Sequence, residues 1–104
     1  MTDPDNSILL EAQRLVHGYR NADYGHPLDD FSKTAALWSV ILGVPVTPEQ
    51  AILCMCAVKI SRELNRPKRD NMTDLAGYAE CLRMTIDEKK RRYGSIVGQS
   101  TEQK

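Results

Sequence analysis

Eight apolar or small residues in a row, Ala51 to Val58, follow Thr47-Pro-Glu-Gln50 and end against Lys59. A threonine cap, a proline at the first helical position and a glutamine at the third form a capping box, so a helix starts there. It runs to Leu64 or Asn65 and stops ahead of Pro67, because proline disfavours a helical residue before it. Its first half is apolar on every side, which predicts the central helix of a bundle or a helix in an oligomer interface. At 100° per residue Lys59 points within about 20° of Ile52, and Glu63 lands on the same stripe. An ammonium that leaves a buried face needs an anion beside it.

The rest of the chain also carries helical periods, with no convincing strand alternation. A first helix is expected from a Ser7 cap to Arg20, with Ile8, Ala12, Leu15 and Tyr19 inward. Asn21 to Leu28 is a shaped connector in which Gly25 allows a positive φ and Pro27 extends His26. Asp29 or Asp30 would cap a second helix with Phe31, Ala35, Trp38 and Leu42 on one face and Gly43 as its stop. Asp70 or Asn71 would cap a fourth helix with Leu75, Ala79, Leu82 and Ile86 inward, and Gly77 within it marks a close helix crossing or room for a ligand. Its end pairs Asp87 with Arg91 and Glu88 with Arg92, and Gly94 would stop it. The expected fold is all-α, a four-helix bundle or paired helical hairpins. Residues 1–6 are expected as a disordered N-terminus, 7–94 as a single helical domain and 95–104 as a mobile tail.

Fourteen basic and fourteen acidic residues cancel, so no global field draws in nucleic acid or an anionic membrane. No apolar run approaches the roughly 18 residues that span a bilayer, and the acidic start is unlike a signal peptide, which points to the cytoplasm. Cys54, Cys56 and Cys81 read as small core residues, since the first two diverge by about 200° on a helix.

Two polar groups do not fit a core-and-surface division. One is Arg20, Tyr24, His26 and Asp29; the other is Lys59, Arg62, Glu63, Asp70, Asp74 and Tyr78. Lys59 with Glu63, and Asp74 with Tyr78, each lie one turn apart, so a hairpin lets the pairs face each other. Carboxylates from Glu63, Asp70 and Asp74 could hold Mg2+, while Lys59 and Arg62 neutralise phosphate oxygens. The plainer alternative is an i,i+4 ion pair on one helix and N-terminal capping acids on the next, with Tyr24 and His26 an ordinary packed ring and turn histidine.

The combination Glu11-Ala-x-x-Leu-Val-x-Gly-x-Arg20-x-x-x-Tyr24-Gly-His-Pro27, Leu37-Trp38, Thr47-Pro-Glu, Lys59-Ile-x-Arg62-Glu63 and Asp70-Asn-x-x-Asp74-x-Ala-Gly-Tyr78 resembles a family of short, uncharacterised helical proteins of bacteriophages and prophages. More distantly, the Asp-x-x-x-Asp-x-x-x-Tyr layout looks like the MazG-type all-α nucleoside triphosphate pyrophosphohydrolases, which bind magnesium through paired-helix carboxylates and act as oligomers. This chain has Lys59-x-x-Arg62-Glu63 where those enzymes carry their first acidic pair. That exchange removes charge a metal needs and favours holding a phosphate directly.

The resulting expectation is a phage-type protein of the host cytoplasm that binds a nucleotide or related phosphorylated ligand as a homo-oligomer. Lys59 and Arg62 would contact phosphate, and Glu63, Asp70 and Asp74 would bind metal or ribose hydroxyls. Arg20, Tyr24 and His26 would close over the base, with Tyr78 beside them. Residual MazG-like hydrolysis is left open. The rival is a non-catalytic assembly or host-interaction protein whose polar clusters only fix register. Nucleic-acid binding through Lys89 to Arg92 ranks last.

Overall fold

The computed structural model describes residues 4–101, with side chains to residue 94; the expectations for residues 1–3 and 102–104 lie outside the described residues. All the described elements are helical. A 3-10 turn, Pro4–Asn6, leads into α1, Ile8–Leu15, which passes through a π-helical segment, Val16–Arg20, into α2, Asn21–Tyr24. These form one continuous first rod. Three further helices follow: α3, Pro27–Leu42; α4, Pro48–Asn65; and α5, Arg69–Thr101.

Capping chemistry accounts for most of the boundaries. Ser7 Oγ accepts from the Leu9 N–H at 3.1 Å. Thr47 and Gln50 close the expected capping box, with Gln50 N–H donating to Thr47 Oγ1 and Thr47 N–H to Gln50 Oε1. Gly43 ends α3 at φ 74°, the left-handed conformation that a side chain would disfavour. The cap of α3 differs from expectation: it is His26, whose Nδ1 accepts from the Leu28 N–H at 3.0 Å. Pro27 takes the first helical position, where its missing N–H costs nothing, so Asp29 and Asp30 fall inside the first turn.

The first rod also departs from a plain α-helix. Ala12 and Val16 are its buried residues, while Tyr19 is exposed. A π-helical segment takes more residues per turn than an α-helix, so the inward stripe advances by four from Ala12 to Val16 to the half-buried Arg20 and leaves Leu15 and Tyr19 outside. Helix also continues through Asn21–Tyr24, into what the sequence marks as connector.

The central helix is α5, which packs against α1, α3 and α4. The run Ala51 to Val58 does not make α4 central, because Ala51 and Ile52 are buried but Leu53, Cys54 and Ala57 are exposed. Glu11 with Arg69 and His17 with Glu80 set the first rod parallel to α5. Lys59 with Asp74 and Glu49 with Lys89 set α4 antiparallel.

A helix enclosed on three sides has small residues at its closest approaches. The fully buried stripe of α5 is therefore Thr73, Gly77, Cys81 and Thr85, rather than the expected Leu75, Ala79, Leu82 and Ile86. The core gathers Val16, Phe31, Ala35, Ala51, Ile52 and Cys81, with Trp38, Met55, Tyr78 and Leu82 packed around it. Leu42 and Cys54, both expected inside, are exposed.

Beyond Asp87, α5 is held by charge. Arg92 donates to both carboxylate oxygens of Asp29 at 2.7 and 3.0 Å and to Glu88 at 2.7 Å, while Lys89 reaches Glu49 at 2.8 Å. Asp87 pairs with Arg83 and not with Arg91. Helix persists through Gly94, which lacks the positive φ that a glycine stop requires.

Candidate functional site

Two of the polar groups meet between the first rod and α5. Arg20 lies at the end of the π-helical segment, and its guanidinium carbon sits 5.2 Å from the Tyr24 ring centroid and 4.9 Å from that of Phe31. Its Nη2 donates to Asp30 at 2.6 Å, with both side chains about a fifth to a quarter exposed. Stacked on two rings and tied to a carboxylate, the guanidinium is fixed in orientation.

Across from it, Lys59 Nζ stands 2.8 Å from Asp74; the lysine side chain is 14% exposed and the aspartate 40%. This is the anion that the buried stem of Lys59 demanded. Tyr78 lies one turn beyond Asp74 and meets the Phe31 ring edge to face, with centroids 6.1 Å apart. Burial pushes its phenol above the usual tyrosine range, partly offset by the positive charges of Lys59 and Arg20. It therefore stays a protonated donor at neutral pH.

Between the first rod and α5 lies a cavity of about 290 Å³ bordered by Tyr19, Arg20, Asp23, Tyr24, Asp74 and Tyr78, with Val16, Thr73 and Gly77 also lining it; Lys59 does not line it and reaches it only through Asp74. A Cβ built on Gly77 would lie 3.4 Å from Val16 Cγ2, so glycine marks both a close crossing and the edge of the cavity. π-helical turns of this kind often occur at functional sites, because the widened turn displaces side chains from regular register.

The remaining candidates lie elsewhere. Arg62 lines a second groove with Arg66 and Lys68. Glu63 accepts from the Lys68 N–H at 3.0 Å and from Asn71 Nδ2 at 3.1 Å, and these bonds hold its carboxyl below the usual range. It closes the α4–α5 turn. His26 is occupied in capping α3, and Asp70 stands exposed one turn before Asp74. Among the described residues no three His, Cys, Asp or Glu side chains gather closely enough to hold a metal by themselves.

Asp23 and Tyr19 are lining residues that sequence reasoning missed. The signal was present, since Tyr19 and Asp23 lie at i,i+4 on either side of Arg20, but it is visible only if helix continues past Arg20.

Residues 7–86 match the family model described as Domain of unknown function DUF6378. The chain belongs to the DUF6378 family. Two relatives of this DUF6378 chain are the Gene 55 protein of Mycobacterium phage D29, 42% identical over 83 residues, and that of Mycobacterium phage L5, 36% identical over 88. The matches cover 79% and 82% of this chain but 55% and 56% of the relatives, so the DUF6378 chain spans about half their length. No solved structure matches it. The resemblance to small helical phage proteins is thus carried by the DUF6378 match and two mycobacteriophage relatives. No helix among the described residues is long and apolar enough to cross a membrane.

Proposed function

We propose that the cavity between the first rod and α5 takes up the base and sugar of a nucleotide or related phosphorylated ligand in the host cytoplasm. The observation that carries this reading is the convergence of Arg20 and Tyr24 with Asp74 and Tyr78 on one cavity. Phenol rings offer planar walls, and the Asp23 and Asp74 carboxylates accept from ring amines or ribose hydroxyls. A volume of about 290 Å³ sits at the lower end of ligand pockets, near roughly 300 Å³, and suits one small planar group with its sugar.

Asp23 and Asp74 also supply the one or two carboxylates with which Mg2+ binds a nucleotide phosphate. The MazG-type enzymes remain the nearest functional analogy for such a site. Here Lys59 neutralises Asp74, which weakens the metal's hold and favours binding or sequestration over hydrolysis. A thermal-shift panel of nucleotides, with and without magnesium, tests the reading. Nucleotides should raise the melting temperature of the wild type and leave Tyr24→Ala and Asp74→Ala unmoved. A flat response of the wild type across the panel ends it.

A separate observation supports self-association, which both readings expect. Leu53, Ala57, Ile60 and Leu64 form an exposed stripe on α4 at spacings of four, three and four, the heptad pattern by which a helix pairs with its own copy. Self-association through α4 is compatible with the cavity, which α4 does not line.

A further inference from the structure

The α4–α5 turn carries a cluster of cations that the cavity does not use. Arg62, Arg66 and Lys68 line an open groove of about 580 Å³ together with Ser61, Asn65 and Asn71. All three cations are exposed, and among the described residues none closes an ion pair, whereas Arg20, Lys59, Arg69 and Arg92 each do.

The turn is built so that its cations stay free. Pro67 stops α4 and leaves Arg66 extended, at φ −150° and ψ 104°. Glu63, the nearest acid in sequence on α4, takes its hydrogen bonds from the Lys68 N–H and the Asn71 amide and not from a cationic side chain. Asn71 also donates to the Arg66 carbonyl at 3.4 Å, tying the backbone of the turn to α5. Two guanidinium forks and an ammonium are thereby mounted on a braced turn, with the Ser61 and Asn65 side chains beside them.

We propose that this groove binds a compact inorganic polyphosphate anion. Arginine forks engage phosphate oxygens in pairs and lysine adds a point charge. The cations are confined to one turn of a chain with no net charge, which suits two or three linked phosphates rather than a nucleic-acid backbone that needs cations along its length. The groove shares no lining residue with the Arg20 cavity, so this proposal stands apart from the nucleotide reading.

Titration calorimetry with inorganic tripolyphosphate at low ionic strength tests it, on the wild type and on the double variant Arg62→Gln with Arg66→Gln. These side chains are exposed, and circular dichroism checks that the fold is kept. The double variant should weaken binding about tenfold or more. The control double variant Lys33→Gln with Lys90→Gln removes the same charge elsewhere and should bind as wild type, as should Tyr24→Ala. Absence of wild-type binding, retained binding by the arginine variant, or equal loss in the lysine control would overturn the site. Loss in Tyr24→Ala would overturn its independence, and tighter binding of a short duplex DNA than of tripolyphosphate would overturn the ligand class.

Discussion

Lys59 and Asp74 join α4 to α5 through a 2.8 Å ion pair whose two ends are unequally buried, the lysine side chain at 14% exposure and the aspartate at 40%. Losing one end therefore differs from losing the other. Asp74→Ala strands a largely buried ammonium and should cost about 1–2 kcal/mol, at the low side of buried pairs because the carboxylate is partly solvated. Lys59→Met keeps the stem, removes the charge and should stay within about 0.5 kcal/mol of wild type. Urea unfolding of both variants measures the asymmetry, and equal losses would mean that the pair is held mainly by solvent.

Gly77 faces Val16 with room for one methyl group, since an added Cβ meets its nearest neighbour at 3.4 Å. Gly77→Ala should stabilise the protein by up to about 1 kcal/mol through helix propensity. Gly77→Leu should push side chain into the cavity and remove any nucleotide-induced thermal shift. A loss of stability in the alanine variant would show that Val16 cannot accommodate the methyl.

The three cysteines are free thiols in different surroundings. Burial pushes Cys81 up to about 11, while Cys54 is exposed. Maleimide at neutral pH should label Cys54 quickly and Cys81 only after unfolding, since the reactive species is the thiolate. Peptide mass mapping over time distinguishes the two, and early labelling of Cys81 would contradict its place in the core.

Hydrogen bonds from Arg91 and Arg92 hold the Glu88 carboxyl at about 2, from an ordinary value of 4.5, and the Arg92 fork also lowers Asp29. A carboxyl whose folded value lies below its unfolded one stabilises the fold above the unfolded value and loses that contribution as pH falls through the folded one. The melting temperature should therefore drop as pH falls from about 4.5 to about 2. Glu88→Gln should flatten that decline, and raised salt should shrink the wild-type effect. An unchanged acid profile in Glu88→Gln would remove this pair from the account.

The α4 stripe gives the self-association reading a direct check. Ile60→Glu, at an exposed position of the stripe, should convert an oligomer to a monomer in light scattering while leaving the circular dichroism spectrum intact. If the wild type is already monomeric at high concentration, the stripe has another role.

Local chemistry made the helices legible. The Thr47-Pro-Glu-Gln50 box, the Ser7 cap, the Gly43 stop and the break before Pro67 depend on residues within a few positions of one another, so the sequence alone determined the helical class and the limits of α4. It also determined that Lys59 needed an anion, because a charge next to a buried stripe is a local fact.

Which anion it met, and which helix lay at the centre, were decided by tertiary packing. The apolar run pointed to α4 as either the centre or an oligomer interface; the fold excludes the first, since it encloses α5, where Thr73, Gly77, Cys81 and Thr85 permit close approach on three sides. Hydrophobicity records how much surface a helix must bury, whereas small residues at four-residue spacing set how closely neighbours approach, and that distance has no meaning until the neighbours are present. The same holds for the site. Arg20, Tyr24, Asp74 and Tyr78 were recognisable by type, but the π-helical turn that brings them together with Asp23, and the turn that sends Arg62 to a separate groove, exist only once the helices have packed.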